Sequence, residues 1–197
     1  MRPSILLLAG LPALAACGEA PVLFAAPPAA LSAPTVADPG ARVAVPYRSI
    51  ELREVSLPSY AEAETIFQEG PGGTLTPVSG AEWADLPERA ITLDLVAVLA
   101  AVTDARVAAE PWPFELLPEA RVEVRATRLA AGADGFFRMG GQYYVADLRG
   151  ELDTPRDRTG RFDLAAPYDL DGGAAAIADA RSRVVRDLAR LIASRGM

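Results

Sequence analysis

The chain has 197 residues, 26 acidic and 19 basic, a net charge of −7, no histidine and a single cysteine; every basic side chain is an arginine. An acidic chain is repelled by phosphate backbones and anionic bilayers, which excludes nucleic acid as a partner and attachment through a polybasic patch. The missing histidine removes the commonest metal ligand and general base, and one cysteine permits no internal disulfide.

The first stretch runs from Arg2 through the apolar Ile5–Leu8 and Leu11 to Leu14-Ala15-Ala16-Cys17. It is too short for a stop-transfer helix and fits a secretory signal: a basic start, an apolar middle, and small residues before a cut ahead of Cys17. A long apolar residue, two small residues and a cysteine form a lipobox, in which the thiol receives diacylglycerol, residues 1–16 are removed and the freed amine is acylated. The alternative is an ordinary signal peptide with an incidental cysteine. The position of Cys17, the only cysteine, favours lipidation. Apart from these covalent lipids on Cys17, no cofactor is expected. Three acyl chains anchor a protein stably. The mature chain keeps 26 acidic against 18 basic residues, and is long enough for one domain with a real core.

Residues 18–46 are rich in alanine and proline, a composition that reads as a tether. Within them only Val22-Leu23-Phe24 is apolar enough for a strand. A strand is expected from near Tyr47; Ile50 and Leu52 share one parity and Val55 and Leu57 the other, so a bulge or a doubly buried strand is expected around Arg53-Glu54. Ile66–Glu69 and Thr74–Thr76 flank Gly70-Pro71-Gly72-Gly73 as a hairpin. That glycine run lacks the lysine of a phosphate loop and opens no helix, so it is a turn.

A helix is expected over about 86–103, with Asp85 as cap, Pro87 in the first turn, Glu88 closing a capping box, and Ile91, Leu95, Val98, Leu99 and Val102 as its apolar stripe. Arg106–Ala109 reads as a short strand, and Pro111-Trp112-Pro113 as rigid and non-helical. Val122, Val124 and Ala126 alternate with Arg121, Glu123 and Arg125, a strand with one wet face. A turn at 132–135 pairs it with a long strand carrying Phe137, Met139, Gly141, Tyr143 and Val145 on one parity. A weak strand near 161–164 precedes a second helix, about 174–194, with Ile177, Ala180, Val184, Val185, Leu188, Leu191 and Ile192 on one face and Arg181, Arg183, Arg186 and Arg190 elsewhere. Two helices and a mostly antiparallel or mixed sheet make an α+β domain.

Asp163, Asp169 and Asp171 cluster near a glycine turn, which reads as a solvated loop rather than an acid–base or metal site. Without histidine, free thiol or lysine, the usual nucleophile–base pairs cannot be built, so an enzyme such as a periplasmic hydrolase is disfavoured. Tyr60, Trp83 and Trp112 are the candidates for contact with a partner or lipid. Trp83, just before a helix cap, reads more readily as core than as contact; Tyr60, after the strand-ending Pro58, reads as exposed.

The ordered set Ile50-x-Leu52-x-x-Val55-x-Leu57-Pro58-x-Tyr60, Ile66, Trp83-Ala84-x-Leu86, a helix, then Gly135-x-Phe137-x-Met139-x-Gly141-x-Tyr143, all behind a lipobox, resembles the PqiC/YmbA family of ABC-type transport auxiliary lipoproteins that work with MCE proteins. Proline and leucine are exchanged relative to the family's Trp-Ala-x-Pro-Leu, and Tyr143 stands where a tryptophan is usual. The resemblance implies a short first strand soon after the lipidated cysteine, which Val22-Leu23-Phe24 matches. Residues 17–21 are then the tether, and 22–197 one domain with a Pro/Ala-rich loop at 27–46.

It also implies a non-enzymatic role in moving phospholipid or similar lipids between inner and outer membranes. The implied partners are an MCE-domain conduit protein with its permease and ATPase; the lipoprotein supports the outer-membrane end. Gly18 rather than aspartate follows the cysteine, so the expected address is the periplasmic face of the outer membrane. A single domain offers little surface for a conduit to end on, which makes a homo-oligomer a further expectation. The alternative is an envelope scaffold or assembly lipoprotein that binds outer-membrane protein or cell wall.

Overall fold

Among the described residues, eight strands and two α-helices follow in the order β1 (Val22–Phe24), β2 (Ser49–Leu52), β3 (Thr65–Glu69), β4 (Leu75–Trp83), α1 (Pro87–Val102), β5 (Arg106–Ala109), β6 (Ala120–Gly132), β7 (Phe136–Asp147), β8 (Arg158–Pro167) and α2 (Gly173–Leu191). This computed structural model describes residues 20–29, 42–150 and 157–197. The lipobox, Cys17 and residues 30–41 of the Pro/Ala-rich loop lie outside them.

β6 is the axis. Ala120, Val122, Val124 and Ala126 point into the core, while Arg121, Glu123 and Arg125 face outward, as the alternation requires. One edge of β6 is taken along its whole length by antiparallel β7, and β8 adds antiparallel outside β7. The other edge is shared end to end. β2 runs parallel to the start of β6, with Ile50 opposite Ala120 and Leu52 opposite Val122. β3 runs parallel to its finish, with Gln68 opposite Ala131 and Glu69 opposite Gly132. β5 adds parallel outside β2; β4 adds antiparallel outside β3, and β1 parallel outside β4. The sheet is therefore mixed and divides into two flaps along one strand.

The parity shift after β2 has a local cause. Arg53 N–H still reaches the Val122 carbonyl and Ser56 N–H the Val124 carbonyl. Between them the ladder is broken, and side chains accept instead: the Glu110 carboxylate from Glu54 N–H and the Thr92 hydroxyl from Val55 N–H, each at 2.9 Å. Thr92 Oγ1 in turn donates to the Glu88 carbonyl, so the irregularity is tied to α1.

The helices cover the face to which Ile50, Leu52, Val122, Phe137 and Met139 point. α1 buries Ile91, Leu95, Val98, Leu99 and Val102, the expected stripe. Its capping differs from expectation: Leu86 is the N-cap and has no side chain able to accept. Asp85 stands one residue too early; its carboxylate takes the Leu86 amide and pairs with Arg89 one turn on. α2 buries Ile177, Ala180, Val184, Val185 and Leu188, and a wide final turn, Ile192–Gly196, continues it. At about 1.5–3 kcal/mol per fully buried aliphatic side chain, these two stripes are the main stabilising layer. β8 is longer than expected because Phe162 and Ala166 also enter the core. Tyr143 fills the space above two glycines, since a Cβ at Gly160 or Gly196 would lie 2.3 or 2.8 Å from its ring.

Candidate functional site

Trp83 ends β4 and is buried. The Arg181 guanidinium of α2 stacks on its ring, 4.5 Å from the centroid, a cation–π contact strengthened by desolvation. The sequence pattern places Arg181 off the buried face of α2, and the structure corrects this: it lies four residues after Ile177 and is 3% exposed. Its nearest anion, Asp94 Oδ2 on α1, is 3.8 Å away. Burial dominates both members of this pair. Desolvation pushes the Asp94 carboxyl up, against the opposing pull of Arg181 and the Ala29 amide. Desolvation likewise pulls the Arg181 guanidinium down, against Asp94 and Asp85. Arg181 Nε has no hydrogen-bond partner. Trp83, Arg181, Asp94 and Leu93 line a pocket of about 210 Å³ beside the chain that leaves β1.

Tyr60 is half-buried rather than exposed. Its hydroxyl accepts from the Leu129 amide at 3.1 Å, and its ring shares a small cavity with Ile66, Phe137 and the far side of Trp83. The structure thus brings Tyr60 and Trp83 to one cavity, Trp83 in the core and Tyr60 packed against it.

Trp112 is elsewhere, in the crossover from β5 back to the start of β6. Its indole N–H donates to the Leu116 carbonyl at 2.6 Å, and its ring meets Phe114 edge-on at 5.0 Å. Arg106 of β5 lies 4.8 Å over the Phe114 ring. Leu116 and Leu117 are 83% and 84% exposed, so this loop presents an apolar tip.

Asp169 accepts from the Asp171 amide in the short turn before α2, and Asp163 lies exposed on β8. Among the described residues, no group of three acidic or cysteine side chains could hold a metal ion, and no helix is long and apolar enough to cross a membrane. Gly70–Gly73 is a turn, with Gly72 at φ +72°.

The family model for the ABC-type transport auxiliary lipoprotein component matches residues 30–193. The chain belongs to this family. As such a lipoprotein it is an auxiliary component of an ABC-type transporter, in a family of membrane-anchored envelope proteins. No curated protein matches it. An uncharacterized protein of known crystal structure has 16% identity over 74% of this chain and 90% of its own, with TM-score 0.63. A DUF330 family protein from Xanthomonas campestris has 15% identity over 89% and 91%, with TM-score 0.58. These two share the auxiliary lipoprotein's fold. A dodecameric PelC variant from Paraburkholderia phytofirmans has 12% identity over 75% and 88%, with TM-score 0.41.

Sequence reasoning missed Arg181 and the Phe114–Leu117 tip. The signal for Arg181 was present: Ile177, Arg181, Val184 and Leu188 fall at helical spacing on one stripe. The tip left none, because apolar residues between prolines do not say whether they are covered.

Proposed function

We propose that this auxiliary lipoprotein is a non-enzymatic component of an MCE-type ABC transport system. Lipidated at Cys17 on the periplasmic face of the outer membrane, it supports transfer of phospholipid or a similar lipid between the membranes. The observation that carries the reading is family membership over residues 30–193, together with the lipobox at Leu14–Cys17. We assign contact with the MCE-domain partner to the Trp112–Leu117 tip. Apolar side chains exposed at this level on a rigid, proline-bounded loop are costly unless a partner covers them.

The test is to tag the C-terminus after Met197, crosslink in intact envelopes and identify captured proteins by mass spectrometry. Recovery of an MCE-domain protein, reduced by Leu116→Ser with Leu117→Ser, is the expected result. Recovery of only outer-membrane assembly factors or cell-wall fragments would replace transport by a scaffold role.

A further inference from the structure

Arg181 is buried without the partners its chemistry requires. A guanidinium carries five N–H donors in a rigid fork and keeps its charge at any ordinary pH. Here Nε is unpartnered, and Asp94 at 3.8 Å is beyond hydrogen-bond distance. Unanswered donors at this depth carry a desolvation cost that an incoming acceptor would remove. The space beside them is built for more than an ion. Phe24, Ala26, Ala90 and Leu93 make its walls apolar; Leu93 is 45% exposed, so that lining reaches the surface. Val22, 60% exposed and on the same face of edge strand β1 as Phe24, continues it outward.

We propose that the pocket between Trp83, Arg181 and Leu93 binds an anionic amphiphile: its phosphate or carboxylate oxygens take the Arg181 fork, and its apolar chain lies over Phe24, Leu93 and β1. The two carboxylates nearby are compatible with this. Asp85 is already engaged by Arg89 and the Leu86 amide. Asp94 leaves Arg181 Nε unanswered, its Oδ2 standing 3.8 Å from the guanidinium. The source of the ligand rests on the lipidated reading of Cys17: fully extended, the five residues from Cys17 to Val22 span at most about 18 Å. The pocket therefore stays within reach of the headgroups of the membrane that anchors the chain.

The full-length lipoprotein in phosphatidylcholine nanodiscs, carrying Trp112→Phe, has Trp83 as its sole tryptophan. Its emission is followed while dihexanoyl phosphatidic acid, dihexanoyl phosphatidylcholine or inorganic phosphate is added. The expected result is a saturable change with phosphatidic acid, none with phosphatidylcholine, and an affinity for phosphate weaker by about tenfold or more. Arg181→Gln removes the response. Leu93→Glu, at an exposed position that leaves the fold intact, weakens it by about tenfold. Absence of any saturable change overturns the proposal, as does an undiminished response in Leu93→Glu. Phosphate binding as tightly as the lipid would make this a site for free anions and overturn the amphiphile. Partner recovery plays no part in this measurement, so failure here leaves the transport reading standing, and loss of that reading leaves this site to be judged by itself.

Discussion

At the scale of single residues, the side chains that matter are those that replace a missing backbone partner or meet an unmatched charge. Thr92 is the first kind. Its hydroxyl is the acceptor for the buried Val55 amide where the β2 ladder breaks, so Thr92→Val should cost about 1–3 kcal/mol, read as a lower denaturation midpoint at unchanged slope. Asp134 is the second kind. A side-chain hydrogen bond from Arg138 holds its carboxyl down at about 2, against 3.8 ordinarily. A depressed carboxyl contributes stability above its unfolded value and loses it as pH falls through the folded one, so the loss occupies the window from about pH 4 down to about pH 2. Arg138→Gln should return the Asp134 carboxyl, followed by NMR titration, toward 3.8, and remove that part of the acid dependence. Asp85 shows why capping is hard to read at this scale: Asp, a proline two residues on and Glu88 satisfy the pattern, yet Leu86 takes the cap position.

At the scale of elements, the β6–β7 pair depends on a glycine that alternation alone does not single out. The ladder slips between Ala126 and Arg128, which carries β6 toward β7 at Gly141. A Cβ there would lie 2.2 Å from the Arg125 carbonyl oxygen and 2.8 Å from Ala126 Cα. Both are backbone atoms with no rotamer to yield. Gly141→Ala should therefore destabilise by about 1–3 kcal/mol or more, with a lowered thermal midpoint, whereas Gly150→Ala, facing open space at φ +72°, should cost only the backbone strain, about 1 kcal/mol. The helices were legible because each presents an unbroken stripe at helical spacing. Arg181 escaped because its type argues for solvent while its position argues for the core, and the tertiary neighbours Trp83 and Asp94 decide between them.

At the scale of the whole molecule, the two features assigned to function lie apart along β6. β1 joins β6 through β4 and then β3, which pairs with its second half; the Trp112–Leu117 tip precedes its start. Cys17→Ala should release the chain from membrane fractions into the soluble periplasm; retention on the membrane would refute the lipobox. Leu116→Ser with Leu117→Ser should leave folding stability within about 0.5 kcal/mol, because these side chains bury little, while lowering partner recovery.

By itself the sequence determined the two amphipathic helices, the alternating strands β6 and β7 and the family resemblance, because each is written in local spacing or in an ordered set of residues. Only the tertiary structure decided that β2 and β3 share one edge of β6, that Trp83 and Tyr60 line one cavity, that Arg181 lies buried beside Asp94, and that the tip stays uncovered. These are pairings between residues far apart in the chain, and local spacing carries no information about which distant side chain will fill a given space.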